Sequence, residues 1–325
     1  MATIAEIAQA AGVSKSTVSR SFTRPDSVNA ETRDRILAVA AELGYTPAPA
    51  KAEATGTIAL FIPDIANPYY PPLVKAIQAA CRRQSISLLV VDGEDDPEAD
   101  AEELERIIGR VDGAIVFAPR MDAERLRALD AVSAVVLINH VADGLPAVIL
   151  SAPEGARQAV EHLAALGHRS IAYLASWEDN YSSRVRLAAA EEAADFHGCT
   201  LMVLTHAEPT YAAGVRAADL VLAEPVTAVI AHNDLMAFGC INRLEDRGVK
   251  AGQEISVIGF DDIWLASTTR PSLTTVNTPY ERGGAVALRL LTERIADPAR
   301  PASTVHLSGD LIVRNSTAPA PALVK

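Results

Sequence analysis

The chain has 325 residues, 49% of them hydrophobic, and carries 29 Lys and Arg against 41 Asp and Glu, a net charge of -12. That length exceeds one ordinary domain and suits a small module joined to a large core. No apolar run reaches the roughly 18 residues of a membrane span and the N-terminus lacks a charged-then-apolar signal segment, which argues against a membrane partner and predicts a cytoplasmic protein.

The N-terminal residues read as three short helices. Ile4, Ile7, Ala8 and Ala11 recur at i, i+3, i+4 and i+7, one apolar stripe on a helix that Thr3 and Glu6 open as a capping box and Gly12 ends. Ser14 caps a second helix that carries Lys15, Ser16, Thr17 and Arg20, with Val18 turned inward. This is a helix-turn-helix pattern, whose second helix enters the major groove of double-stranded DNA by its N-terminal residues. Asn29 caps a third helix with Ile36, Leu37, Ala40 and Leu43 as its apolar face and Gly44 at its end. A surface helical hairpin would show the same Ser, Lys and Arg types, but the third helix, followed by Tyr45, completes a headpiece. Within 1–47, Lys15, Arg20, Arg24, Arg33 and Arg35 balance Glu6, Asp26, Glu31, Asp34 and Glu42. The headpiece is therefore neutral, and sequence-specific contacts are expected to supply most of its DNA affinity.

After Gly56, short apolar runs alternate with helical stretches such as Glu154 to Leu166 and Asp234 to Arg247. The runs are Ile58 to Ile62, Leu88 to Val91, Ala114 to Phe117, Val135 to Ile138, Ile171 to Leu174, Leu201 to Leu204, Ala228 to Ala231 and Ser256 to Phe260. Such runs predict parallel strands buried on both faces, hence a doubly wound α/β core. A break near Leu150 predicts two similar subdomains with a ligand cleft at the carboxyl ends of their strands. Cys81, Cys199 and Cys240 form an odd set without a C-x-x-C pair, which argues against a disulfide framework or structural zinc and predicts buried free thiols.

Enzyme signatures are weak. Arg282-Gly283-Gly284 is not a G-x-G-x-x-G turn, and neither a G-x-x-x-x-G-K loop nor a G-x-S-x-G elbow occurs. His162 and His168 lack the i, i+4 spacing of a helical metal pair and are read as structural, so no catalytic residue, metal or cofactor is expected. A polyol or sugar site needs paired donors and acceptors beside an apolar or aromatic wall. Asp261, just past Phe260, offers two acceptor oxygens, and Arg186 offers a fixed fork of donors. Asp261 could instead cap the following turn, Arg186 could pair with Glu191 or Glu192, and Tyr69 and Tyr70 could be core.

Ala10-Ala11-Gly12-Val13-Ser14, Thr17-Val18-Ser19-Arg20, Glu31-Thr32-Arg33 and Leu43-Gly44-Tyr45 closely resemble the lactose-repressor (LacI/GalR) family of bacterial transcription regulators. The resemblance runs on through Pro63 to Tyr70, His162 to His168, Asn233-Asp234, Ile258 to Asp262, Pro271 to Val276 and Leu311 to Arg314. It implies a periplasmic-binding-protein-like core in which the chain crosses between subdomains three times. The expected division is a headpiece at 1–47, a linker at 48–57, a first subdomain at about 58–150 and 279–308, and a second at about 151–278 and 309–318. It implies DNA contacts from Thr3, Ser14, Lys15, Ser16, Thr17, Arg20, Asn29 and Tyr45. By the same resemblance Arg186, Asp261 and Asn233 fall on ligand-binding positions, followed by Asn139, Ser182, Tyr69, Tyr70, Tyr280 and, with a gap, Tyr211.

The family's linker wedges a leucine into the minor groove. Here Thr46 to Thr55 contains no leucine, Ala54 stands at the lever position and Ala48 replaces an asparagine, so weaker DNA bending is expected. Ser151-Ala152 replaces an aspartate, and Ala189 a glycine. The implied protein is a homodimeric repressor on a palindromic operator, controlled by a small effector. A sugar-binding protein of transport or sensing is the alternative that the same core would serve.

Overall fold

A computed structural model describes residues 3–23, 28–43, 45, 54–94, 96–150 and 153–321 of the chain. It contains two compact units, Met1–Thr55 and Gly56–Lys325. In the first, helix α1 (Ile4–Ala11) opens on the Thr3 and Glu6 capping box and ends at Gly12, whose φ of 67° is left-handed. Helix α2 (Lys15–Thr23) follows, and α3 (Ala30–Glu42) opens with the Asn29 side chain accepting from the Glu31 amide. Ile7, Ala8, Ala11, Val18, Ile36 and Ala40 form the miniature core. Leu37 and Leu43, expected in that core, are 41% and 43% exposed. Thirteen residues of α3 turn through more than three full turns, and the buried stripe narrows to the positions facing the other two helices. Gly44, Thr46 to Glu53 and Ser151-Ala152 lie outside the described residues.

The second unit begins with β1 (Thr57–Ile62), α4 (Tyr70–Arg83), β2 (Ser87–Asp92), α5 (Pro97–Ile108), β3 (Gly113–Phe117), α6 (Ala123–Val132), β4 (Ala134–Ile138) and β5 (Ala147–Ile149). It continues through α7 (Pro153–Ala165), β6 (Ser170–Ala175), α8 (Tyr181–His197), β7 (Thr200–His206), α9 (Tyr211–Ala223), β8 (Ala228–Ala231), α10 (Asp234–Asp246), β9 (Ser256–Asp261) and β10 (Thr274–Asn277). The chain ends with α11 (Tyr280–Ala296), β11 (Thr304–His306) and β12 (Leu311–Ile312). One sheet has the order β11-β5-β4-β3-β1-β2 and the other β12-β10-β9-β8-β6-β7. Three crossings therefore join them, after β5, β10 and β11.

Strands β1, β3, β4, β6, β8 and β9 are buried on both faces, which is why they read as continuous apolar runs. Strands β2 and β7, also expected to be buried, are sheet-edge strands with only one neighbour, and β2 leaves Leu89 and Val90 exposed. In β1, Ile58, Leu60 and Ile62 enter one apolar cluster, while Ala59 and Phe61 enter another. In β6, Ala172 and Leu174 face one way and Ile171 and Tyr173 the other. Strand pairs are parallel except β10 with β12. Helix α11 packs on α4, β3, β4 and β5, so the segment after Thr278 rejoins the first sheet. The C-terminal residues are tied to the second: His168 Nε2 lies 3.0 Å from Ala318 O, and His162 Nε2 lies 3.0 Å from Thr317 Oγ1. The three cysteines are free and buried.

In each sheet the winding reverses beside the first strand, between β1 and β3 and between β6 and β8. Loops leaving the carboxyl ends of such strands diverge and leave a crevice. Among the described residues, five non-glycines have positive φ, and Ala118, Asn139, Asp261 and Asp262 are four of them, all just past β3, β4 or β9 or at its last residue. Sparsely populated backbone of this kind gathers where function constrains it.

Candidate functional site

On the first unit the exposed face of α2 presents Lys15, Ser16 and Arg20. Ser14 Oγ accepts the Thr17 amide at 3.1 Å and lies 2.8 Å from both Ser16 Oγ and Thr17 Oγ1, so a short hydroxyl chain marks the helix N-terminus. Arg20 Nε donates to Ser16 O at 3.2 Å, which lays the guanidinium along the N-terminal half of the helix. Thr3 and Asn29 sit at the other two helix starts, and the Tyr45 ring packs 5.7 Å from Phe22. The paired Thr3 and Glu6 groups hold the Glu6 carboxyl below its usual range.

In the second unit Arg186 and Asp261 come together from α8 and the end of β9. Both are buried, at 4% and 7% exposure, and Arg186 Nη2 lies 3.7 Å from Asp261 Oδ1. Arg186 Nη1 donates to His232 O at 2.7 Å, and its guanidinium carbon stands 4.4 Å from the Phe260 ring centroid. The arginine therefore pairs with neither Glu191 nor Glu192; Glu192 pairs instead with Arg157. Burial drives the Asp261 carboxyl up to about 7 against the opposing pull of Arg186. Nearby Asp234, fully buried, accepts from Thr275 Oγ1 at 2.5 Å and from the Ile263 amide at 2.9 Å. Burial, and then the charge of Asp261, push its carboxyl well above the usual range. Of the two carboxyls, Asp234 thus retains its proton the more firmly, and Asp261 is the one that faces Arg186.

An aromatic wall faces this pair. Tyr69 lies 5.1 Å from Tyr70, 5.6 Å from Phe117 and 5.4 Å from Tyr280, all edge-on, and Tyr280 Oη donates to Asp261 O at 3.1 Å. Tyr69 and Tyr70 are thus both core residues and cleft wall. Asn139 Oδ1 accepts the Leu150 amide at 2.7 Å, and Ser182 is buried in the first turn of α8. Asn233 caps α10 by accepting the Met236 amide at 2.9 Å and donates to Pro209 O at 2.8 Å. Tyr211 stands apart: it opens α9, is 42% exposed and accepts from Asn242 Nδ2 at 2.7 Å. Its hydroxyl is thus held by α10, outside the cluster that Tyr69, Tyr70, Phe117 and Tyr280 form.

Three buried polar atoms around the cleft have no hydrogen-bond partner among the described residues: Arg186 Nε, His232 Nδ1 and Ser176 Oγ. Unsatisfied buried groups are costly, and a cluster of them marks a place where a polar ligand is received. Burial, with Arg186 adding to it, holds His232 neutral far below its usual range. The sequence reading overlooked His232, Asp234, Phe117 and Phe260; their common signal is position at or just past a strand's carboxyl end.

Residues 3–48 match the bacterial regulatory proteins of the lacI family, and residues 160–317 match the periplasmic binding protein-like domain. The chain is 30% identical to the HTH-type transcriptional repressor CytR of Escherichia coli strain K12, covering 98% of this chain and 97% of that protein. The chain belongs to the lacI family. It is a DNA-binding transcriptional regulator. Among solved structures it is similar to the regulator CelR in complex with cellobiose, at 28% identity and a TM-score of 0.73 over 97% of this chain and 100% of that one. The lac repressor dimer bound to operator and anti-inducer matches at 27% identity and a TM-score of 0.71 over 98% and 99%. A ribose-bound lacI-family regulator from Enterococcus faecium matches 82% of this chain and 100% of its own at 26% identity and a TM-score of 0.73.

Proposed function

We propose that this regulator is a cytoplasmic homodimeric repressor, not an enzyme, which holds a palindromic operator until a sugar or related metabolite binds in the cleft. The observation that carries the reading is the buried Arg186 and Asp261 pair, ringed by polar atoms that lack partners. At 3.7 Å the pair is too long for a hydrogen bond, so hydroxyls of a polyol can bridge donor and acceptor. The edge of the aromatic wall serves the C–H face of a ring. Two headpieces meeting two half-sites require two-fold symmetry, as in the operator-bound lac repressor dimer. Lys15, Ser16 and Arg20 read base edges, Ser14, Thr17 and Asn29 hold the phosphates, and Thr3 and Tyr45 complete the face.

The effector set is Arg186, Asp261, Asn233, Asn139, Ser182, Tyr69, Tyr70 and Tyr280, to which we add His232. The working partition is a headpiece at 1–47, a linker at 48–57 and a core from 58 onward. A thermal-shift screen of sugars, sugar acids, polyols and nucleobases tests the cleft. A true ligand at a hundred times its Kd adds about 2.7 kcal/mol of stability in the wild type, and that gain disappears in Arg186→Ala. An equal gain in both proteins would place the ligand elsewhere.

A further inference from the structure

The two subdomains also touch at the mouth of the cleft, through residues that the effector set does not use. Arg120 follows β3, and its guanidinium carbon stands 4.1 Å from the centroid of the Trp177 ring. Its Nε lies 3.9 Å from Asp179 Oδ2. Trp177 and Asp179 follow β6 in the opposite sheet. Beside them His140, after β4, meets Tyr181 at the start of α8, with ring centroids 6.1 Å apart. Arg184 braces that loop by donating to the carbonyl oxygens of Glu178 at 3.2 Å and Asp179 at 3.0 Å. Strands β3 and β6 flank the reversal points of their two sheets, so these contacts span the crevice itself.

We infer that Arg120 and Trp177 form a clasp that holds the cleft closed and sets effector affinity without touching the effector. The Arg120 side chain is only 16% exposed, whereas Asp179 is 59% exposed, so the stack on the indole outweighs the screened ion pair. A planar cation over an aromatic face at a partly exposed site shifts a two-state equilibrium about two- to fivefold. The closed fraction scales the apparent affinity of any ligand that needs the closed state. Loss of the clasp therefore weakens all cleft ligands by one common factor, while loss of a direct contact discriminates among them. This consequence for affinity rests on the cleft being the effector site; the closure itself does not.

The test uses the full-length protein with Val132→Cys near the end of α6 and Phe196→Cys near the end of α8, one exposed position in each subdomain. The native cysteines are buried, so spin labels go to the introduced pair, and excess unlabelled protein leaves one labelled copy per dimer. Arg120→Ala and Trp177→Ala are expected to lengthen and broaden the distance distribution, raising the open fraction about two- to fivefold. Arg120→Lys and Trp177→Phe fall between these variants and wild type. With Trp264→Phe added, Trp177 is the sole tryptophan, and acrylamide quenching of its fluorescence rises in Arg120→Ala. Unchanged distances in both alanine variants overturn the clasp. D-ribose and cellobiose serve as probes: equal loss of apparent affinity for each that binds supports action through closure, and selective loss overturns it. Lengthened distances that neither probe shortens support the clasp and count against those sugars as effectors.

Discussion

Arg186 and Asp261 were visible in the sequence as a donor fork and a strand-end carboxylate, but only the fold shows that they are buried side by side. The burial of Asp261, which outweighs the opposing pull of Arg186, has a measurable signature in pH. A carboxyl raised from 3.8 to about 7 keeps a proton in the folded chain that the unfolded chain releases. Its contribution is intact below about pH 4, and stability is lost as pH rises toward about 7. Asp261→Asn removes that decline, so its melting temperature should fall less than the wild type's between pH 5 and pH 8. Parallel profiles would show that Asp261 titrates as an ordinary surface carboxylate. On α2 the argument is different, since Arg20 is exposed and its neighbours only aim it. Arg20→Ala should cost about 1 to 3 kcal/mol on operator and relax preference at one base pair per half-site. Equal loss on operator and random DNA would make it a phosphate contact. Tyr211 shows what position alone leaves open: its hydroxyl bonds to Asn242 and its ring is not among the packed tyrosines of the wall. His232 was hidden for the opposite reason, because its role comes from a backbone carbonyl under Arg186 and a ring nitrogen without a partner.

At the scale of elements, the eight apolar runs were legible as strands, six of them because burial on both faces leaves no polar alternation, while those of β2 and β7 are apolar although partly exposed. Strands β5, β10, β11 and β12 were not. They have only three, four, three and two residues, β10 has two threonines among its four, and β11 and β12 pair only with strands that do not precede them directly in the chain. The closest helix contact was likewise hidden: a Cβ at Gly214 would strike Met236 O, and one at Gly239 would strike Tyr211 O. Helices α9 and α10 thus cross backbone to backbone on two reciprocal glycines. Gly214→Ala or Gly239→Ala should destabilise the core by about 1 to 3 kcal/mol through overpacking, read by denaturant unfolding. Wild-type stability in both would mean that the helices separate freely. The linker makes a prediction of its own. With alanine where relatives carry a leucine wedge, operator bending should be weak, and Ala54→Leu should increase bending or affinity in a gel-phasing assay. A strong kink in wild type that Ala54→Leu leaves unchanged would refute this.

For the whole molecule, the headpiece and the core were both foreseeable from sequence, one from three capped helices and the other from alternating apolar runs. What makes them a regulator is coupling, and a ligand shifts a protein between states only by its differential affinity for them. Contacts made chiefly in the closed cleft must then govern both effector binding and operator release. The most direct measurement is affinity for an operator selected from random DNA, with and without a cleft ligand, in wild type, Arg186→Ala and Asp261→Ala. The account predicts that all three proteins bind operator alone, that ligand releases only the wild type, and that both variants stay bound. Release of the variants at the wild-type ligand concentration would contradict it.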